Sequence, residues 1–170
     1  NTPASGYPRN GISQTGSAIM LSRSAGPEGF GRFAFGHHPE HRGALATHTQ
    51  ERNGRTWLRI DRDPDLATIY AKCLPPTVKE LLMLEGLEPA EIAVVFGPYL
   101  PAAARAELAT NIGIDPSRFV DFDTDTDPFT SALPYALDRA RRDELVQPGD
   151  IALIMAAGSG VEVGATTYRF

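Results

Sequence analysis

The sequence has few of the residues that mark disulfide-rich, membrane-spanning or nucleic-acid-binding proteins. Cys73 is the single cysteine, which excludes an internal disulfide framework and favours the reducing cytoplasm. Lys and Arg number 16 against 21 Asp and Glu, for a formal net charge of -5, and the absence of a basic run argues against a nucleic-acid partner. No apolar run approaches a membrane span, and Asn1 to Gly6 lacks the basic and apolar stretches of a secretion signal. We therefore expect a soluble protein with no membrane partner.

Length and composition fit one globular domain. The chain of 170 residues is 42% hydrophobic and 22% charged, which is enough to bury a core of ordinary size. Residues 1–10 are polar and rich in Pro and Gly, which predicts a tail, and one domain is predicted over residues 11–170. Because the sequence begins with Asn1 and not with Met, we expect a processed fragment, a split half or a shortened chain.

Apolar periodicity predicts strands that alternate with helices. The predicted strands are residues 11–22, 30–35, 56–60, 92–96, 118–122, 151–155 and 165–170, and the predicted helices are residues 66–87, 102–111 and 128–142. Asn53-Gly54 predicts a hairpin turn, and Pro75-Pro76 is expected to kink or restart the first helix. This order favours an α/β fold in α/β/α layers with a mixed, mostly parallel sheet.

The closing residues 149–170 predict a strand, a glycine loop and a second strand. Gly158, Ser159 and Gly160 form the loop. Glycines there let backbone N–H groups approach an oxyanion or a thioester carbonyl. They equally suit a plain hairpin whose glycines only satisfy turn geometry. The residues alone leave both interpretations open.

Two patterns suggest metal binding but lack a full ligand set. Four histidines cluster in one stretch, and four aspartates alternate in another: His37, His38, His41 and His48, and Asp121, Asp123, Asp125 and Asp127. No Cys or paired carboxylate joins the histidines, and the aspartates lack the central Gly and late Glu of a calcium loop. We predict no metal site, and we interpret Cys73 as a small core residue of its helix and not as a catalytic thiol.

The chain resembles the C-terminal half of a thiolase-superfamily condensing enzyme, closest to the ketoacyl-acyl carrier protein synthase III group and its acyltransferase relatives. The ending from Gln147-Pro148-Gly149-Asp150 through Gly158-Ser159-Gly160 to Tyr168-Arg169-Phe170 resembles the closing motif of that group. Val163 stands where the family usually has Trp. Residues 12–21 resemble a degraded form of the glycine-rich motif at the family's first strand, with Gln14 at its Asp position.

The resemblance implies a site that depends on residues absent from this chain. Such enzymes use a Cys nucleophile from the N-terminal half and a His and an Asn from the C-terminal half. The strand at 92–96 leads to the His position, where Pro98 stands, and the Asn position falls on Asp127. An Asp there is similar to the acyltransferase branch, which uses a Cys-His-Asp set. Pro98 is thus a non-functional replacement, since its nitrogen cannot donate a hydrogen bond or exchange protons.

The resemblance implies an acyltransferase half of fatty acid or polyketide biosynthesis that handles acyl thioesters. It needs no cofactor, since acyl-CoA or the phosphopantetheine of an acyl carrier protein is the substrate. The implied partner is a Cys-bearing N-terminal half on another chain, in a dimer of such pairs, with an acyl carrier protein as a further partner. Asp127 would face the thioester, and the backbone of Gly158, Ser159 and Gly160 would lie near its carbonyl. The alternative is a catalytically inactive subunit that supports an active partner.

Overall fold

The computed structural model describes residues 16–23, 25–122 and 127–170, so the predicted tail at residues 1–10 lies outside the described residues. The chain forms six strands and three α-helices within these ranges. In chain order they are β1 (Gly29–His37), β2 (Leu45–Arg52), β3 (Arg55–Arg62), α1 (Leu66–Glu85), β4 (Ile92–Phe96), α2 (Ala102–Ile112), α3 (Ala132–Arg142), β5 (Ile151–Ala157) and β6 (Glu162–Arg169). Short 3₁₀ turns cover Pro39–His41, Pro89–Glu91, Pro116–Arg118 and Phe129–Ser131.

The main sheet is mixed, as predicted, but parallel pairing does not dominate it. Its four strands lie in the order β1, β6, β5, β4. The β4–β5 pair is parallel, whereas β1–β6 and β5–β6 are antiparallel. The prediction of a mostly parallel sheet was wrong because β5 and β6 form a hairpin, and a hairpin connection forces antiparallel pairing.

Helices cover both faces of this sheet, which confirms the predicted α/β/α layers. On one face, α1 and α2 pack on the sheet through a core that includes Leu74, Leu81, Leu108 and Leu153. On the other face, Ala136 and Ala140 of α3 pack against apolar side chains of β4 and β5. Both faces of β5 are therefore buried, and its continuous apolar sequence follows from this.

Helix α1 is one continuous helix that includes both Pro75 and Pro76. The prediction that the helix restarts at the prolines was wrong. Leu74 and Pro75 are buried, together with Val78 and Leu81 further along the helix. Packing of this face against the sheet outweighs the backbone hydrogen bonds that the prolines remove.

Strands β2 and β3 form a separate two-stranded hairpin. Asn53 and Gly54 occupy its turn with φ of 54° and 68°, the left-handed pair that a type I′ turn requires. This confirms the Asn-Gly hairpin prediction. The hairpin is important for the site because β3 ends at Arg62.

The predicted strand at residues 11–22 is not a strand in its described part. Residues 16–22 are irregular and exposed, and the Ser17 hydroxyl lies 3.1 Å from that of Ser131. Residues 11–15 lie outside the described residues. A strand is stable only when its backbone pairs with a neighbour, and no strand of the described ranges pairs with this segment.

The predicted strand at residues 118–122 is reduced to one bridge. Phe119 makes an isolated parallel bridge to Val95, and the Val120 N–H donates to the Val95 carbonyl at 3.0 Å. The Asp121 carboxylate then accepts the Phe122 N–H at 2.9 Å and an Arg105 N–H at 2.5 Å. These side-chain bonds replace the strand pairing at this point.

No helix of the described residues is both long and apolar enough to cross a membrane.

Candidate active site

A cavity of about 240 Å³ lies where the carboxyl ends of β4 and β5 meet. Parallel strands place their carboxyl ends at one edge of the sheet, where α/β proteins usually bind ligands. The end of β3 and the first turns of α1 complete its wall. The lining residues are Leu45, Arg62, Asp63, Pro64, Leu66, Ala67, Tyr70, Pro98, Tyr99, Leu100, Pro101, Asp127, Phe129, Ala132 and Ala157.

The cavity brings together Pro98 and Asp127, the two positions that the sequence resemblance aligned with catalytic residues. Pro98 follows the buried strand β4, and Asp127 precedes the 3₁₀ turn that leads into α3. Pro98 and Asp127, although 29 positions apart, therefore line the same cavity. A proline nitrogen has no hydrogen to donate, so Pro98 gives the cavity no hydrogen-bond donor and no acid or base.

Asp127 is buried and has hydrogen-bond donors on both carboxylate oxygens. Its side chain is 10% exposed. The Arg62 guanidinium donates to Oδ2 in a close ion pair, and the Phe129 N–H donates to Oδ1 at 2.7 Å. The Asp127 carboxylate is therefore held in one orientation by two hydrogen bonds, one of which is charge-assisted.

Phe129 adopts a strained backbone conformation at the wall of the cavity. Its φ is 51°, in the left-handed region that bulky residues rarely occupy. The hydrogen bond from its N–H to Asp127 helps to hold this conformation. Strain of this kind is common at functional sites.

Tyr70, in the second turn of α1, is one of the residues that line the cavity. The residue is 6% exposed, and its hydroxyl lies 3.5 Å from the Gly158 carbonyl oxygen. Burial is the largest effect on the Tyr70 hydroxyl and raises its pKa above 10.0. The charge of Arg62 lowers this pKa and that of Asp127 raises it. The hydroxyl therefore stays protonated at neutral pH.

The glycine loop lies at the rim of the cavity and is tied to its neighbours. The Gly158 N–H donates to the Glu162 carbonyl at 2.9 Å, so it is already used within the β5–β6 hairpin. The Ser159 hydroxyl donates to the Leu45 carbonyl at 2.8 Å. Gly160 has φ of 79° and the buried Val161 has φ of 52°. Turn geometry thus requires Gly160, while Ala157 is the residue of this hairpin that lines the cavity.

Sequence reasoning did not identify Arg62 and Tyr70 as site residues. Tyr70 carries a detectable signal, since it is a residue with a polar hydroxyl on the otherwise apolar face of a predicted helix. Arg62 carries none. It is one of several arginines along the hairpin, and its partner is 65 positions away in the sequence.

The two patterns considered for metals do not converge in the described residues. These contain no group of three or more His, Cys, Asp or Glu side chains placed to hold a metal ion. Three of the four histidines each lie near one carboxylate: His37 near Glu162 at 3.3 Å, His38 near Glu40 at 3.4 Å and His48 near Asp61 at 3.3 Å. Asp123 and Asp125 lie outside the described residues. Cys73 is buried in the core, as predicted.

The fold is that of a thiolase-like α/β unit. The sequence profile described as 3-oxoacyl-[acyl-carrier-protein (ACP)] synthase III C terminal matches residues 82–170, which is more than half of the chain. The protein therefore belongs to this family. A search of curated proteins gave no match.

Solved structures of the same class share the fold at low sequence identity. The 3-oxoacyl-[acyl-carrier-protein] synthase III of Aquifex aeolicus VF5 is 19% identical with a TM-score of 0.73, and that of Pseudomonas aeruginosa PAO1 is 17% identical with a TM-score of 0.75. Each match covers 88% of this chain and 47% of the other. A variant of Xanthomonas campestris OleA matches at 16% identity and a TM-score of 0.66, over 83% of this chain and 40% of that one. The chain thus spans about half the length of the structures that it matches.

Proposed function

We propose that this chain is the C-terminal half of an acyltransferase that handles acyl thioesters, completed by a Cys-bearing N-terminal half. The observation that supports it most directly is the cavity that joins Pro98 and Asp127. The sequence resemblance aligns these positions with the His and the Asn of the family's site. The substrate class is an acyl-CoA or an acyl carrier protein thioester, and no cofactor is required.

The chemistry of Pro98 argues against carbon–carbon bond formation. Condensation develops an enolate on the second thioester, and the family's His helps to stabilise that charge. Pro98 offers no donor there. Formation of an acyl-enzyme on a thiolate needs only a nucleophile and a donor for one carbonyl oxygen, and the nucleophile would come from the N-terminal half. Passing the acyl group on to an alcohol or amine would also use a base of that half to take the acceptor's proton, because Pro98 replaces the His of the acyltransferase branch as well.

Formation of an acyl-enzyme tests this proposal. The experiment uses the native assembly, which is this chain purified together with its partner half. The native assembly is incubated with acetyl-CoA or octanoyl-CoA and followed by intact mass, and then supplied with malonyl-acyl carrier protein. We expect an acyl adduct on the Cys-bearing half and no 3-oxoacyl product. A 3-oxoacyl product would identify a condensing enzyme instead. An assembly that forms no adduct with either thioester is not an acyltransferase for them.

A second candidate function is a catalytically inactive half that supports an active partner subunit. The Arg62–Asp127 ion pair favours it, because the pair gives the Asp127 carboxylate a structural role that requires no substrate. Asp127→Asn and Asp127→Ala in the assembly separate the two functions. If acyl transfer falls in both variants while the assembly stays intact, the carboxylate contributes to the site. Unchanged turnover would leave Asp127 with a structural role only.

Association with an N-terminal half is part of the proposal, and exposed aromatic residues support it. Phe30, Phe33 and Phe35 of β1 form a row of neighbouring rings with centroids 5.9 and 6.3 Å apart, and Phe35 is 76% exposed. Exposed apolar rows of this kind mark interaction surfaces. We expect a large interface and a dimer of such pairs, with an acyl carrier protein as a transient partner. Because the single Cys73 excludes an internal disulfide, we also expect a cytoplasmic location.

Size-exclusion chromatography of the isolated chain tests the association. We expect self-association or aggregation that a co-expressed N-terminal half suppresses. Phe35→Ser should reduce the self-association, whereas Met83→Ser, at a residue 75% exposed on α1, serves as the matched control. A well-behaved monomer with one cooperative unfolding transition would contradict obligate association.

A further inference from the structure

We propose that the Tyr70 hydroxyl is the hydrogen-bond donor to the thioester carbonyl oxygen in this site. The inference rests on the proposed acyl transfer and names the residue of this chain that would take part in it. Tyr70 would then be a catalytic residue, because its hydroxyl would contact the reacting carbonyl.

The position of Tyr70 fits this role. It lines the same cavity as Pro98 and Asp127, and its hydroxyl lies beside Gly158, the residue that follows the cavity-lining Ala157. The oxygen–oxygen distance to the Gly158 carbonyl is 3.5 Å, which is long for an O–H···O bond. The proton is therefore held weakly and can turn toward a better acceptor.

Two donors near Tyr70 already have acceptors. One N–H of the Arg62 guanidinium is bonded to Asp127, and the Gly158 N–H is bonded within the β5–β6 hairpin. Of these three hydrogen bonds, the one from the Tyr70 hydroxyl is the longest. A phenol also remains protonated at neutral pH, so it can donate without changing its own charge.

The proposed step leaves the tyrosine proton in place. A thiolate of the N-terminal half attacks the thioester carbonyl carbon and forms a carbon–sulfur bond, while the π electron pair moves onto the carbonyl oxygen. Tyr70 donates its hydrogen bond to that oxyanion. The pair then returns, the original carbon–sulfur bond breaks, and the departing thiolate takes a proton from water.

Tyr70→Phe tests the inference because it removes only the hydroxyl. In the native assembly we expect kcat for acyl transfer to fall about 100-fold with little change in KM, as for loss of one oxyanion donor. Tyr168→Phe is the matched control, since Tyr168 packs on Phe30 and Phe170 outside the cavity and its loss of a hydroxyl should leave kcat unchanged. A purely structural Tyr70 would instead lower the unfolding midpoint and leave kcat unchanged.

A binding measurement separates failure of this inference from failure of the proposed function. S-acetonyl-CoA keeps the carbonyl but cannot transfer an acyl group, and calorimetry measures its affinity. We expect Tyr70→Phe to weaken binding about 2- to 10-fold, the range for one hydrogen bond. If the native assembly transfers no acyl group yet shows this weakening, the proposed function fails and the carbonyl contact stands. If transfer proceeds equally in Tyr70→Phe, the inference about Tyr70 is overturned and the function stands.

Discussion

Arg62 and Asp127 form an ion pair that fixes the β2–β3 hairpin to the segment that leads into α3. The two residues are 65 positions apart in sequence, and the Arg62 side chain is 32% exposed against 10% for that of Asp127. Two further bonds hold the same hairpin, from the Asp63 N–H to the Ala44 carbonyl at 2.8 Å and from the Ser159 hydroxyl to the Leu45 carbonyl at 2.8 Å. This end of the cavity is therefore held by polar contacts.

Loss of Arg62 should destabilise the protein. Arg62→Ala leaves the Asp127 carboxylate buried without its cation, and we expect the free energy of unfolding to fall by about 1–3 kcal/mol, discounted because Arg62 is partly exposed. Urea unfolding measures this change. Arg59→Ala is the control, since its pair with Asp61 is exposed and should change stability by less than about 0.5 kcal/mol. An equally small change for Arg62→Ala would contradict a stabilising ion pair.

The stability of the protein should depend on Tyr70 at alkaline pH. Burial raises the Tyr70 pKa above 10.0, so the native state holds the phenol proton more tightly than the unfolded chain does. The resulting stabilisation is complete below pH 10 and is lost as the pH rises through the higher native pKa. Urea unfolding of the wild type and Tyr70→Phe between about pH 8 and about pH 11 isolates this contribution from that of the other tyrosines. We expect the wild type to lose more stability than the variant, and parallel curves would refute the prediction.

Cys73 should react slowly with thiol reagents in the folded protein. Burial raises the pKa of its thiol, and the charge of Glu40 raises it further, so little thiolate forms at neutral pH. We expect labelling by dithionitrobenzoate at pH 8 to be far slower in native protein than in urea. Labelling of the native protein at the unfolded rate would mean that Cys73 is accessible.

Shortening a side chain of helix α1 should destabilise the protein only when that side chain lies on the buried face of the helix. Leu81 is fully buried, whereas Met83 is 75% exposed. We expect Leu81→Ala to lower the free energy of unfolding by about 2–5 kcal/mol and Met83→Ala to change it by less than about 0.5 kcal/mol. Similar losses for both variants would contradict the packing of α1 on the sheet. The comparison is made by urea unfolding.

Local signals determined most of the elements but not their pairing. Apolar runs and punctuating residues predicted β4, β5, α2 and the Asn53-Gly54 turn, because strands, helices and turns depend on residues that are near in sequence. The same signals failed at residues 118–122. There the Asp121 carboxylate accepts a hydrogen bond from the Phe122 N–H, which competes with strand pairing. The same carboxylate also contacts Arg105, and that contact exists only in the folded chain.

The sequence by itself determined the layered α/β class, the family resemblance, and the chemical fact that Pro98 cannot act as a histidine. Only the tertiary structure decided which side chains meet in the cavity. In the folded chain Asp127 forms an ion pair with Arg62, and the Tyr70 hydroxyl lies beside the Gly158 carbonyl. The Gly158 N–H donates a hydrogen bond within the hairpin. These partners lie on different elements far apart in the chain, and their contacts depend on how the β2–β3 hairpin and α1 pack at the sheet edge, which no local pattern encodes.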